Sequence, residues 1–191
     1  FVLGAVAVGW LFYGGALAPD IADRLAVPLL NFQQHPIHVP LWLYGLVGLV
    51  AVVMGCSNAV NLTDGLDGLA IGPVIVAAFT YMLLCYAAGQ TLAGFNIAHY
   101  LKLAHVVGAG ELVVFCGAIV GAGIGFLWYN THPAQVFMGD VGALALGGAI
   151  GFVALATKTE LTLPVIGGIF VVEALSDIIQ VGYYKATKRR I

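Results

Sequence analysis

Charge is what this sequence has least of. Only 8% of its 191 residues are Asp, Glu, Lys or Arg, against about 25% in an ordinary soluble domain, too few to clothe a water-facing surface. With 61% hydrophobic residues and a mean hydropathy of +1.02, the chain has the lipid bilayer for its solvent. The net charge of −2 leaves no basic patch, which excludes nucleic acid as a partner. Cysteine is scarce too. Cys56, Cys85 and Cys116 each lie inside an apolar run, and none forms a CxxC pair, so they read as small packing residues. There is no initiator Met and no signal-peptide n-region; the chain opens on Phe1 within an apolar run and stops at Ile191 after a basic cluster. The expectation is one transmembrane domain over residues 1–191 that is a piece of a longer protein. Internal repeats, low-complexity segments and domain boundaries are missing as well.

Long apolar runs are what the sequence does have. A spanning helix needs about 20 apolar residues. Six runs qualify: residues 1–17, 40–57, 68–88, 112–129, 141–157 and 161–184. In lipid every backbone polar group must be satisfied within its own segment, so these runs are expected to be helices. They lack the alternation of barrel strands. The predicted fold class is an all-α integral membrane protein with six transmembrane helices. Six crossings put residues 58–67, 130–140 and the tail 185–191 on one side. The other side receives residues 18–39, 89–111 and the turn around Lys158. The tail carries Lys185, Lys188, Arg189 and Arg190; the opposite side carries Arg24, Lys102 and Lys158. The positive-inside rule therefore makes the first side cytoplasmic. Gly117, Gly121 and Gly125 form one helix stripe expected to pack closely against another helix of the same chain, with a dimer face as the alternative.

Two of the connections on the cytoplasmic side are chemically unusual. One reads Asn58-Ala-Val-Asn61-Leu-Thr63-Asp64-Gly65-Leu-Asp67-Gly68-Leu-Ala70, the other Asn130-Thr-His132-Pro-Ala-Gln135-Val-Phe137-Met-Gly139-Asp140-Val-Gly142-Ala-Leu. Together they hold three of the nine acidic residues and no Lys or Arg. Carboxylates gathered at a membrane surface repel one another unless a cation sits between them. Mg²⁺ suits such a place, because it takes hard oxygen ligands from one or two carboxylates and from substrate phosphates. Gly65 and Gly139, beside the aspartates, let the backbone turn tightly and approach a substrate. Each connection leads into a helix whose first N–H groups favour a phosphate. The structural alternative is that Asp64, Asp67 and Asp140 cap helices or make Asp-Gly turns.

Other residues have two readings each. Phe137 serves either as a membrane-interface anchor or as a platform for a nucleobase. His132 is a His-Pro turn residue, or a phosphate ligand when protonated. Glu173 and Asp177 share one face of the last helix, where an ionisable group normally faces a cavity or a partner. His35 and His38 are too few for a metal site, and His99 and His105 are expected at the interface.

The stretches from Asn58 to Ala70 and from Pro133 to Gly142 resemble the bacterial phospho-N-acetylmuramoyl-pentapeptide transferases, within the polyprenyl-phosphate N-acetylhexosamine-1-phosphate transferase superfamily. The likeness continues through Gly110-Glu-Leu-Val and Phe170-Val-Val-Glu-Ala-Leu-Ser176. It implies a ten-helix fold of which this chain looks like helices four to nine. It also implies a reaction in which undecaprenyl phosphate attacks UDP-N-acetylmuramoyl-pentapeptide. The products are UMP and lipid I, a peptidoglycan precursor. Mg²⁺ is the implied cofactor, the bacterial cytoplasmic (inner) membrane the implied location, and a homodimer the family's expectation. By the resemblance, Asp140 matches the Mg²⁺-binding aspartate. Asn61, Asp64 and Asp67 match nucleotide-site and catalytic polar residues. Phe137 matches the aromatic that stacks on uracil, and Asn130 a polar residue of the same pocket.

There are departures. The family's Asp-Asp pair and His-rich motif are expected upstream of Phe1 and downstream of Ile191, so the 191-residue piece alone is expected to be inactive. Ala143 stands where the family commonly shows Ser. Two rival readings stand beside this one: a sister enzyme transferring N-acetylglucosamine-1-phosphate from its UDP donor, and a transporter. Transport sites lie near the bilayer midplane on broken helices, whereas these polar clusters sit at the ends of runs.

Overall fold

The computed structural model describes residues 2–15, 17–28, 30, 32, 37–92 and 94–188. Phe1, His35, Arg189, Arg190 and Ile191 lie outside the described residues. Helix α1 (Val2–Tyr13) and the short α2 (Pro19–Ala22) come first. One continuous helix then runs Leu41–Thr63, made of α3 (Leu41–Val47), a π-helical stretch (Gly48–Met54) and α4 (Gly55–Thr63). It is followed by α5 (Ile71–Gly89), α6 (Ile97–Tyr100) and a 3₁₀ turn (Ala109–Glu111) that enters α7 (Leu112–Asn130). The chain closes with α8 (Gly139–Ala156), α9 (Leu163–Ile166) and α10 (Gly168–Thr187). Two small antiparallel ladders sit outside the long helices: β1 (Arg24–Leu25) with β2 (Ile37–His38), and β3 (Thr91–Leu92) with β4 (Phe95–Asn96).

Four helices are long and apolar enough to cross a membrane: Leu41–Thr63, Ile71–Gly89, Ala109–Asn130 and Gly139–Ala156. The chain is a multi-pass, all-α membrane protein. The two remaining predicted runs behave differently. Among the described residues of 1–17 the helix is α1, which ends before Gly15 turns the chain at φ +78°. Residues 161–184 are broken at Gly167 into α9 and α10. The second run is longer than predicted. Residues 58–63, expected in a loop, continue the helix, and within it Asn58 Nδ2 and Thr63 Oγ1 donate to the carbonyls of Met54 and Ala59 one turn back.

Close helix packing uses glycines other than the predicted stripe. Among the described residues, a Cβ on Gly121 or Gly125 would meet nothing within 4 Å, and one on Gly117 only the Met82 sulfur at 3.6 Å. The tight contact is between α8 and the Leu41–Thr63 helix. A Cβ on Gly147 would lie 2.6 Å from the Cys56 carbonyl oxygen, and one on Gly151 3.0 Å from that of Val52. Ser57 Oγ donates to the Leu144 carbonyl at 2.8 Å across the same seam. Gly147 meeting Cys56 and Gly151 meeting Val52 define an antiparallel register. Continued about two turns along both helices, it sets Asp64 beside Gly139 and Asp140. On the other flank Gly123 of α7 accommodates Ile75 of α5, where a Cβ would come to 2.7 Å. Cys56, Cys85 and Cys116 are free, buried members of one apolar cluster between these helices. Their expected packing role holds.

Candidate active site

The two acidic connections meet at one end of the bundle. Asn130, the last residue of α7, fastens them together. Its side chain is 4% exposed; its Oδ1 accepts from the Gly68 N–H at 3.0 Å and its Nδ2 donates to the Val136 carbonyl at 2.9 Å. Gly68 sits at φ +75°, a backbone state that favours glycine, and presents that N–H just before α5 begins. Asp67 adds a second tie, its Oδ2 accepting from the Ala134 N–H at 3.0 Å and facing His132 Nδ1 at 3.1 Å.

Between the joined connections lies a cavity of about 200 Å³ lined by Asp64, Gly65, Leu66, Asp67, Asn130, Phe137, Met138, Gly139 and Asp140. Seven of the eight residues singled out from the sequence line it. The exception is Asn61. It sits on α4 with its Oδ1 buried and unpartnered, and is not part of the lining. Leu66 and Met138 were not foreseen, because nothing in an apolar side chain's identity signals that it faces a cavity. Phe137 is 73% exposed at the rim, an orientation open to a stacking partner.

The capping alternative separates the three aspartates. Asp67 has a structural job, bracing the second connection. Asp64 follows the C-terminus of α4 rather than opening a helix, and Asp140 is the second residue of α8, whose N-cap is Met138. Among the described residues neither Asp64 nor Asp140 has a side-chain hydrogen bond or ion pair. They act on each other instead. Burial first, and then the negative charge of Asp140, hold the Asp64 carboxyl above the usual carboxylate range. A divalent cation placed here would relieve both effects. No group of three or more His, Cys, Asp or Glu residues is gathered for a metal among the described residues. Asp64 and Asp140 would supply the one or two carboxylates that Mg²⁺ takes from a protein, its other oxygens coming from phosphates and water.

Gly139 begins α8 at φ +67° and Gly65 does not adopt a positive φ, so only Gly139 is there for its backbone. Ala143 is fully buried in the apolar cluster beneath the site. Glu173 and Asp177 on α10 are half-buried, without ion-pair partners among the described residues, and line none of the cavity.

Two of these features give expected outcomes. Asn130→Ala should leave the Gly68 N–H unpaired, a cost of about 1–3 kcal/mol. Thermal unfolding of the full-length protein would register the loss, and Asn130→Asp, which keeps only the acceptor, should recover part of it. For Asp64, the raised folded value means that its contribution to stability is present below the ordinary carboxylate range. It is lost as pH rises through the raised value. At neutral pH Asp64→Asn should therefore raise the unfolding temperature without divalent ions, and a rise expected on adding Mg²⁺ to the native protein should be absent from the variant. An unchanged Mg²⁺ response would remove Asp64 from the metal site.

The sequence profile of glycosyl transferase family 4 matches residues 1–158. The chain belongs to glycosyl transferase family 4. Among curated relatives, a phospho-N-acetylmuramoyl-pentapeptide-transferase of Sorangium cellulosum is 53% identical over 194 aligned positions, covering 100% of this chain and 51% of that protein. Enzymes of the same name from Pelobacter propionicus and Granulibacter bethesdensis are 53% and 51% identical over 191 positions, in each case 100% of this chain and 50% of theirs. The chain thus spans about half the length of the curated relatives it matches. These relatives carry the same name as the family that the two acidic stretches resemble. Family membership therefore rests on the whole helical scaffold and not on the two loops alone.

Proposed function

We propose that the protein to which this chain belongs transfers phospho-N-acetylmuramoyl-pentapeptide from its UDP donor to undecaprenyl phosphate, releasing UMP and forming lipid I in peptidoglycan biosynthesis. The observation that carries the reading is the pair Asp64 and Asp140: two unneutralised carboxylates held together in a cavity with an aromatic rim. The fit to a diphosphate is electrostatic. Mg²⁺ bound by Asp140, with Asp64 beside it, would neutralise the diphosphate and the developing charge on the leaving phosphate. The chain's own residues do the positioning. The first turn of α8 offers unpaired N–H groups and the positive end of its dipole to a phosphate oxygen. Phe137 stacks on the uracil ring, and the Asn130 clamp keeps both connections in register. Asp67, occupied by the Ala134 N–H, orients the second connection.

The acidic end of the bundle is proposed to face the cytoplasm of the bacterial inner membrane, where a water-soluble UDP-sugar is at hand. The lipid acceptor arrives from the bilayer, and a homodimer is the proposed assembly. Whether Asp64 removes a proton from the acceptor phosphate or attacks the donor itself separates a one-step from a two-step route. Trapping a covalent phosphoryl-enzyme species would select the second. The isolated 191-residue piece is proposed to be inactive, and lipid I formation by it would overturn that. The sister activity, transfer of N-acetylglucosamine-1-phosphate, is separated by presenting both UDP-sugars to the full-length protein and asking which yields UMP.

Phe137→Ala should weaken donor binding by about 1–3 kcal/mol, the worth of one base–aromatic stack. A raised donor KM at little-changed kcat is the expected signature, and the same loss for free UMP would confirm that the ring contacts the base. If the variant binds UMP as the native protein does, Phe137 is an interface anchor.

A further inference from the structure

The opposite end of the bundle holds a second polar cluster that the transferase reading does not use. Lys158 follows α8 in the left-handed conformation, φ +57°, and is fully buried. Its Nζ donates to the Ala22 carbonyl at 3.0 Å, and lies 3.9 Å from the centroid of the Tyr44 ring and 5.4 Å from that of Phe12. Glu160, two residues on and 5% exposed, accepts the Tyr44 hydroxyl on Oε1, while its Oε2 is buried without a partner. One short turn therefore reaches α1 through Phe12, α3 through Tyr44, and the Ala22–Asp23 segment through a backbone carbonyl. Asp23 is itself tied to β2, its Oδ2 lying 2.8 Å from His38 Nδ1 and its carbonyl accepting from Val39.

We infer that Lys158, Glu160 and Tyr44 form a proton-operated latch that holds the Ala22–Asp23 segment against the helix bundle and releases it when the Lys158 amine becomes neutral. The reasoning is about charge in a place without water. The Lys158 ammonium and the Glu160 carboxylate make no ion pair within 4 Å among the described residues, but they share one water-poor turn, where each charge attracts the other and partly answers its lost hydration. Remove the charge on Lys158 and three attractions go together: those to Glu160, to the Tyr44 face and to the Phe12 face. Glu160 is then a buried anion with one unpartnered oxygen, and it must take up a proton or move toward water. Either response breaks the geometry that binds Ala22.

The surroundings agree. Burial pulls the Lys158 amine down to about 8, only partly offset by Glu160 and Asp23. Burial likewise raises Glu160 against the opposing influence of Tyr44 and Lys158. The Lys158 amine thus sits close to the pH at which it loses its charge, beside a Glu160 carboxyl held above its ordinary range. Among the described residues, the other ionisable groups facing the cluster are Tyr81 of α5, which feels Glu160, and Lys102, which with Lys158 and Thr159 lines a cavity of about 40 Å³. α1 contributes no ionisable group to the contact, only Phe12.

The test needs no enzymatic activity, so its failure is distinct from failure of the transferase reading. The full-length protein in nanodiscs is treated with a water-soluble N-hydroxysuccinimidyl acetate from pH 7 to 10, and acetylation of each lysine is read by mass spectrometry. Exposed Lys102 supplies the internal rate. At pH 7 Lys158 is expected to react at least about tenfold more slowly than Lys102, as for a site reached only by local opening. Its rate should then climb toward that of Lys102 as pH passes about 8. Tyr44→Phe, which keeps the ring and removes the hydroxyl, should move that climb to lower pH. Lys158 reacting in step with Lys102 at every pH would mean that no latch closes. Lys158 still unreactive at pH 10 would mean that it never opens. Either result overturns the inference from the native protein alone, whatever the variant does.

Discussion

Asp140→Asn in the full-length protein is expected to lower Mg²⁺-dependent UMP release by on the order of a hundredfold or more, the usual cost of removing one group that stabilises charge at a reacting centre. The substitution keeps the size of the side chain and its place in the first turn of α8. What it removes is the negative charge opposed to Asp64. Two results should follow together: activity falls, and the Asp64 carboxyl relaxes toward its ordinary range because one of its two burdens is gone. A Mg²⁺ titration of the residual activity should show weaker metal dependence. If UMP release were undiminished, Asp140 would have no part in holding the metal.

Gly147→Val is expected to be nearly as damaging from a distance. A Cβ at this position would stand 2.6 Å from the Cys56 carbonyl and 2.7 Å from the Ser57 Cα, both backbone atoms, so no side-chain rotation relieves the clash. The helices must separate. Overpacking of this kind costs about 1–3 kcal/mol in a well-packed core, and separation also breaks the bond from Ser57 to Leu144. Because the same seam sets Asp64 beside Asp140, the variant should lose both stability and activity. Gly121→Val, where a Cβ meets nothing, is the control and should retain both. Comparable behaviour of the two variants, by unfolding temperature in detergent and by UMP release, would sink the claim that the α8 seam positions the carboxylates.

The contrast between those glycines shows where the sequence stops being informative. Gly117, Gly121 and Gly125 are spaced four apart, and so are Gly147 and Gly151; nothing in either run says which faces a partner. Spacing defines a helix face, but packing requires the opposite face to be known as well, and that information is distributed over another helix. Asp64, Asp67 and Asp140 stood out because acidic residues without nearby Lys or Arg are rare in so apolar a chain. Their separate roles did not, since those depend on the partners each finds: Ala134 and His132 for Asp67, none for the other two. Asn61 and Asn130 looked alike as candidate ligands. The fold makes Asn130 a clamp and leaves Asn61 outside the cavity lining. Lys158 was counted as a loop charge on composition alone, and the structure buries it.

What the sequence determined by itself was the solvent, the helical class and the two acidic connections. Each follows from the properties of residues taken singly or in short runs: the cost of placing charge in lipid, and the need of a backbone there to bond within its own segment. What the tertiary structure decided was which residues meet. The register of α8 on the Leu41–Thr63 helix, the Asn130–Gly68 clamp and the Tyr44–Glu160 hydrogen bond each join residues more than 60 positions apart. The reason is physical: the free energy of such a contact belongs to two surfaces at once, and neither surface carries it alone.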